Sequence, residues 1–122
     1  YGANSDGSGL DEMTTCGETR VAELRDGMIN TFIITPEDAG IERAKIEDLR
    51  GGEAEENAVA LRAVLNGEAG PYRDIVVLNA AGALCIAGKA EDIRSGVTMA
   101  REAIDSGAAR NALDKLVEIT NG

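Results

Sequence analysis

The sequence predicts an α/β fold in which one β-hairpin is followed by four to five helices. Two strand-like runs flank Asp26-Gly27, a dipeptide that favours a type I′ turn. From about residue 54 onwards, apolar residues recur at helical spacing. Because an isolated two-stranded hairpin is only marginally stable in water, we expect this one to join a larger sheet whose other strands lie outside the chain.

The length and the first residues of the chain bear on its domain organisation. The 122 residues are enough for one domain with a core of modest size. The chain opens on Tyr-Gly-Ala-Asn rather than on an initiator methionine, and it offers the hairpin no further strand. We therefore expect residues 1–122 to form a single partial domain of a longer protein.

The first half of the chain is predicted to contain a loop, the hairpin and two short helices. Residues 1–18 are rich in glycine, serine and threonine, which is typical of a loop. The strands are predicted at Thr19–Leu24 and Met28–Ile34. "TPEDAG" and "KIEDLRGG" each end in glycine after a polar start, so each predicts one short helix.

The second half is predicted to be helical. The run after Pro71 is long and rich in alanine, which favours a buried helix, although Ile75–Leu78 alone could be a buried strand. Apolar residues, among them Leu61 and Leu116, fall on one face of their helices. The core is expected to be aliphatic, since aromatic residues are few. One predicted helix lies in "EAEENAVALRAVLNG" and is closed by Asn66-Gly67, and the others run from Pro71 to Ala87, from Asp92 to Ser106 and from Ala108 to Ile119.

Charge and composition exclude several classes of function. The formal net charge is −10 and no basic run occurs, which argues against nucleic acid as a partner. The chain has no histidine, so it contains no histidine-based triad or histidine metal site. No apolar run reaches the roughly 18 residues of a membrane span and no signal-peptide pattern is present, so we expect no membrane partner and a cytoplasmic location.

The strongest candidate for chemistry is the acid pair Asp11-Glu12 in "SGLDEMTTCGETR". In an irregular, glycine-rich loop two adjacent carboxylates can converge on one cation, and Mg²⁺ usually takes one or two carboxylates. From the residues alone, a solvated acid pair is the commoner alternative. The hydroxyl residues Thr14, Thr15 and Thr19 could cradle a phosphate or simply lead into the strand, and the second interpretation is favoured.

The remaining candidates are weaker. Gly51-Gly52 could bind an anion before a helix, but the glutamates after it favour a capped helix start. Asn79 is interpreted as a buried polar residue that fixes helix packing through hydrogen bonds. Cys16 and Cys85 fit no metal-ligand spacing, and Cys85 is interpreted as a buried thiol. Four arginines could each pair with a substrate carboxylate, and no pattern distinguishes them: Arg20, Arg43, Arg50 and Arg73.

Six segments in order resemble the anthranilate phosphoribosyltransferases of tryptophan biosynthesis. "GLDEMTTCGET" is similar to the Gly-Leu-Asp-Glu loop of that family, and "TRVAELRDG" to the strand that follows it. The other four are "TPEDAGI", "DLRGGEAEENA", "RDIVVLNAAGALCIAGKA" and "GVTMAREAIDSGAARNALDKLVEITN". The resemblance covers Gly9 to Asn121 and implies the C-terminal portion of a phosphoribosyltransferase α/β domain, without the N-terminal helical domain and the upstream sheet.

This resemblance implies an activity, a cofactor and partners. The family transfers the phosphoribosyl group of phosphoribosyl pyrophosphate to the amine of anthranilate and releases pyrophosphate. Positive charge develops on the ribose ring, and metal ions stabilise the departing pyrophosphate. The acid pair of the family's loop holds Mg²⁺ at the diphosphate, so Asp11 and Glu12 are the expected metal ligands here. The complete enzymes are typically homodimers that associate through their N-terminal helices.

The resemblance also has departures. The family's histidine before the loop is missing, Glu18 stands where proline is usual, and Cys16 stands where threonine is common. The family's phosphate loop, its lysine-bearing segment and its anthranilate-binding arginine all lie upstream. We therefore assign no catalytic or substrate-binding residue here and expect the chain alone to be inactive. The alternatives are a fold relative that acts as a non-catalytic binding module, and an acidic helical domain that associates with a partner chain.

Overall fold

A computed structural model describes residues 10–122, and within them it has one antiparallel hairpin followed by four α-helices. Strand β1 spans Thr19–Arg25 and strand β2 spans Met28–Ile34. Their register places Val21 opposite Phe32 and Leu24 opposite Ile29. The predicted hairpin is therefore confirmed, with β1 one residue longer than expected.

The turn between the strands has the conformation that its two residues favour. Asp26 has a φ of 52° and Gly27 has a φ of 76°. Two consecutive positive φ angles define the type I′ turn, whose twist matches that of the flanking strands. Aspartate tolerates this region better than most residues and glycine adopts it without strain, so these two residues fix the register of the hairpin.

The helices begin and end close to the predicted positions. Pro71 occupies the first turn of the second helix, where its missing N–H costs nothing. Asp92 caps the third helix by accepting a hydrogen bond from the Ser95 N–H at 2.7 Å. The two short helices are 3₁₀ turns, Glu37–Ala39 and Ile46–Leu49. The α-helices are α1 (Ala54–Leu65), α2 (Pro71–Ile86), α3 (Ile93–Asp105) and α4 (Ala108–Asn121).

The core lies where α2 packs on α3, next to the base of the hairpin. Of the helix pairs, α2 and α3 make the most extensive contact. Gly96 of α3 allows their close approach, since a Cβ at that position would lie 2.9 Å from the backbone of Ala81. The core is aliphatic, as predicted: its buried residues are Met13, Val21, Ile34, Ala39, Ile41, Val64, Val77, Leu78, Ala81, Val97, Ala100 and Ile104.

Two of the predicted apolar stripes are only partly buried. In α1 Val64 is buried, whereas Leu61 of the same face is 45% exposed. In α4 no residue is buried, and Leu116 is 57% exposed. Both helices touch the α2–α3 pair over a small area, so most of each stripe has no facing element within residues 10–122.

No helix in the described part of the chain combines the length and the apolar character needed to cross a membrane. The predicted loop over residues 1–18 is confirmed for residues 10–18, which form no helix or strand. Residues 1–9, which include the glycines that precede the acid pair, lie outside the described residues.

Candidate functional site

The acid pair lies at the start of a segment that changes from exposed to buried within two residues. Asp11 and Glu12 are exposed. The next residues, Met13, Thr14 and Thr15, are 6%, 1% and 0% exposed. The backbone that carries the two carboxylates is therefore anchored in the protein interior, while the carboxylates themselves stay accessible to a ligand.

The Thr14 and Thr19 hydroxyls accept hydrogen bonds from the backbone of the loop itself. The Thr14 N–H donates to Thr19 Oγ1 at 3.0 Å, and the Cys16 N–H donates to Thr14 Oγ1 at 3.0 Å. The Thr15 carbonyl accepts from the Ala44 N–H at 2.9 Å. These contacts support the interpretation of Thr14 and Thr19 as the approach to β1. The Thr15 hydroxyl is buried without a hydrogen-bond partner among residues 10–122.

Asn79 of α2 forms hydrogen bonds with the backbone of Met13, the residue that follows the acid pair. Its Oδ1 accepts from the Met13 N–H at 2.9 Å, and its Nδ2 donates to the Met13 carbonyl at 2.9 Å. The same Nδ2 also donates to the Ile75 carbonyl at 3.0 Å. The expectation that Asn79 is buried and fixes the packing of helices needs correction, because the side chain is half-buried and ties a helix to a loop.

The Met13 side chain provides a second contact between the loop and α2. It packs over Gly82, where an added Cβ would lie 2.5 Å from Met13 Cε. Gly82 is itself buried, and it lies one helical turn beyond Asn79 on α2. The loop is thus held on α2 by hydrogen bonds to the Met13 backbone and by packing of the buried Met13 side chain.

The carboxylates of Asp11 and Glu12 suit a metal site that water and substrate complete. Among residues 10–122, no three His, Cys, Asp or Glu side chains are grouped so as to hold a metal ion. Two accessible carboxylates cannot enclose a cation. They can, however, serve Mg²⁺, which commonly keeps one or two carboxylates and takes its other ligands from water and substrate phosphate.

Two of the four candidate arginines have structural partners. The Arg43 guanidinium binds Glu37 through two hydrogen bonds, of 2.9 and 3.1 Å, and this contact lowers the pKa of Glu37 to about 2. The Arg73 guanidinium donates to Asp105 Oδ1 at 2.7 Å and to the Gly67 carbonyl at 2.8 Å. Arg43 and Arg73 therefore already have partners within the chain, and Arg20 and Arg50 are exposed.

In the glycine pair before α1, the backbone of Gly52 is hydrogen-bonded by a side chain of the chain itself. The Asn57 amide accepts from the Gly52 N–H at 2.9 Å and donates to the Gly52 carbonyl at 2.8 Å. The Glu53 N–H donates to Glu56 Oε2 at 3.0 Å. The predicted capped helix start is confirmed, and the N–H groups of Gly52 and Glu53 already have partners within the chain.

The thiol in α2 is less buried than expected. Cys85 is half-buried, and burial raises the pKa of its thiol, so the thiol is protonated at neutral pH. It borders an open groove of about 580 Å³ between the hairpin and the end of α2, whose wall includes Leu24 and Ile86. This groove does not include the acid pair.

The sequence of residues 3–110 matches the family described as "Glycosyl transferase family, a/b domain". The anthranilate phosphoribosyltransferase of Parvibaculum lavamentivorans is 58% identical over 114 residues, which is 93% of this chain and 33% of that protein. This chain therefore spans about a third of the length of the relatives that it matches.

Solved structures share the fold. The anthranilate phosphoribosyltransferase of Thermus thermophilus superposes with a TM-score of 0.84 at 40% identity, over 95% of this chain and 34% of that one. The Saccharomyces cerevisiae enzyme in complex with PRPP and Mg superposes with a TM-score of 0.81 at 28% identity, over 90% of this chain and 32% of that one. The resemblance read from the six segments and the predicted fold class are confirmed, and the chain belongs to the glycosyl transferase family that this a/b domain defines.

Proposed function

We propose that the complete protein transfers the phosphoribosyl group of phosphoribosyl pyrophosphate to the amine of anthranilate, as a step of tryptophan biosynthesis. The bond between C1 of the ribose and the diphosphate oxygen breaks, and a bond from C1 to the amine nitrogen forms. Pyrophosphate leaves and the amine loses a proton. The proposal is supported by 58% identity to an anthranilate phosphoribosyltransferase and by an accessible acid pair on an anchored loop.

Within this reaction we assign to the chain the carboxylates of the metal site, Asp11 and Glu12. They would hold Mg²⁺, which supplies positive charge where the diphosphate departs. The anchored backbone on their C-terminal side keeps both side chains at one place on the surface. Binding to a carboxylate pair that is already in position costs less conformational entropy than binding to a mobile one.

The proposal assigns no catalytic and no substrate-binding residue to residues 1–122. These residues are proposed to be one partial domain, and the groups that hold ribose phosphate and anthranilate would lie elsewhere in the complete protein. We expect the 122-residue chain alone to be inactive. We also expect the complete enzyme to be a homodimer in the cytoplasm, without a nucleic-acid or membrane partner.

The test is the loss of anthranilate fluorescence in the presence of phosphoribosyl pyrophosphate and Mg²⁺. Three proteins are compared: the 122-residue chain, the full-length gene product that contains it, and that product with Asp11→Asn and Glu12→Gln. We expect turnover only in the unchanged full-length protein, with activity falling at least about a hundredfold in the double variant, because the amides carry no charge for the cation.

Two outcomes would change the assignment. Full activity in the double variant would remove the metal role from Asp11 and Glu12 and leave the reaction intact. No activity in the unchanged full-length protein would instead favour the non-catalytic binding module, since a fold supports more than one function.

A further inference from the structure

We propose that Asn79 is a positioning residue for the metal-binding acid pair. It acts by fixing the peptide group that joins Glu12 to Met13. This inference rests on the proposed function, because it gives the acid pair the metal role described above. It goes further by assigning a task to a residue of α2 that lies 66 positions along the chain from Met13.

The first argument is the geometry of the two hydrogen bonds between Asn79 and the Met13 backbone. The Asn79 amide accepts from the Met13 N–H and donates to the Met13 carbonyl, each at 2.9 Å. The Met13 nitrogen belongs to the peptide group directly after Glu12, so its orientation limits the backbone dihedral angles open to Glu12. Since α2 has five buried residues in the protein interior, this contact ties the backbone beside the acid pair to the core.

The second argument is chemical. Of the side chains that reach this distance, a short planar amide can both accept from an N–H and donate to a carbonyl while carrying no charge. Aspartate would lose the donor and add a third negative charge. A cationic side chain would attract the two carboxylates and compete with a metal ion for them. Asparagine therefore holds the loop and leaves the charge of Asp11 and Glu12 available.

The third argument is the independent packing contact on the same helix. Met13 is 6% exposed and fills the space above Gly82. Hydrogen bonds from Asn79 and packing over Gly82 thus fix the backbone and the side chain of one residue. The neighbouring Asp11 and Glu12 remain exposed. The residue that α2 anchors is therefore the direct neighbour of two accessible acids.

The test is binding of Mn²⁺, used as a paramagnetic probe for the Mg²⁺ site, to the full-length gene product with phosphoribosyl pyrophosphate and without anthranilate. Free Mn²⁺ is measured by electron paramagnetic resonance, so the readout does not need turnover. We expect Asn79→Ala to weaken Mn²⁺ binding about tenfold, as is usual when the support of a metal ligand is lost. We also expect faster hydrogen exchange at the Met13 amide.

The matched control is Asn57→Ala. Asn57 makes the same pair of hydrogen bonds to one backbone residue, Gly52, and within residues 10–122 neither residue bonds to the acid-pair loop. Unchanged Mn²⁺ binding in Asn57→Ala, together with weakened binding in Asn79→Ala, supports the positioning role. Equal losses in both variants would overturn it, because they would show a general effect of destabilisation. Wild-type binding in Asn79→Ala would also overturn it.

A second variant covers the case in which Asn79→Ala does not fold. Gly82→Ala adds a Cβ that must displace the flexible end of Met13, while alanine favours the helix. We expect weaker Mn²⁺ binding in Gly82→Ala, because the displaced Met13 shifts the backbone that Asn79 holds; unchanged binding in Gly82→Ala would overturn the inference. Failure of the proposed function is distinct: Asp11→Asn with Glu12→Gln would then bind Mn²⁺ as the unchanged protein does.

Discussion

At the scale of single residues, sequence and structure differ in what they reveal about the site. The acid pair could be found from the sequence, because two adjacent carboxylates in a loop form a local pattern. The role of Asn79 could not, because its partner Met13 is 66 residues away and only the fold brings the two together. The sequence showed that Asn79 needed hydrogen bonds, but it contained no signal for where those bonds go.

Glu37 provides a prediction at this scale. The two hydrogen bonds from Arg43 hold the pKa of Glu37 at about 2, below its ordinary 4.5. The pair therefore stabilises the protein above pH 4.5, and this contribution is lost as the pH falls from 4.5 towards 2. The effect on overall stability is small, because both side chains are about half exposed.

The measurement is the titration of the Glu37 side-chain carbon by NMR. We expect Arg43→Gln to raise the pKa of Glu37 towards its ordinary value. Arg25→Gln is the control, since Arg25 pairs with Glu23 through a single 3.3 Å contact elsewhere on the surface. A pKa near 4.5 for Glu37 in the unchanged protein would contradict the bidentate geometry.

At the scale of elements, local signals fixed most boundaries. The Asp26-Gly27 turn, Pro71 and the Asp92 cap each act within a few residues, so the sequence predicts the hairpin, α2 and α3 to within about two residues. How deeply an element is buried depends on its neighbours instead. For this reason the apolar stripes of α1 and α4 could be recognised, but their exposure could not.

The contact between α2 and α3 yields the prediction at this scale. Gly96→Ala gains helix propensity but places a Cβ 2.9 Å from the backbone of Ala81, which cannot move without separating the helices. We expect overpacking to dominate and to lower the free energy of unfolding by about 1–3 kcal/mol. Urea unfolding of the purified protein measures it. Gly82→Ala is the comparison, because its added Cβ clashes only with the flexible end of Met13. If Gly96→Ala lowered the free energy of unfolding by no more than Gly82→Ala does, the close approach of the two helices would be contradicted.

At the scale of the whole molecule, one face of the hairpin is uncovered within the described residues 10–122. Because side chains alternate between the faces of a strand, Leu24 and Ile29 share a face with Ile33. Their exposed fractions are 72%, 71% and 50%. Such a face is unusual on a folded surface, and apolar patches of this kind are common at protein–protein contacts. It agrees with the observation that the chain spans about a third of the length of its relatives.

The uncovered face predicts how the 122-residue chain behaves by itself. We expect concentration-dependent association, because burying these apolar side chains against a second copy removes them from water. Leu24→Glu with Ile29→Lys places opposite charges across the strands, which keeps the cross-strand pair while removing the apolar surface. Sedimentation velocity should show the double variant as a monomer at concentrations where the unchanged chain associates. Val59→Lys is the control, since Val59 is equally exposed, at 70%, but lies on α1. If that substitution alone abolished association, the contact would lie on α1, and the hairpin face would need another explanation.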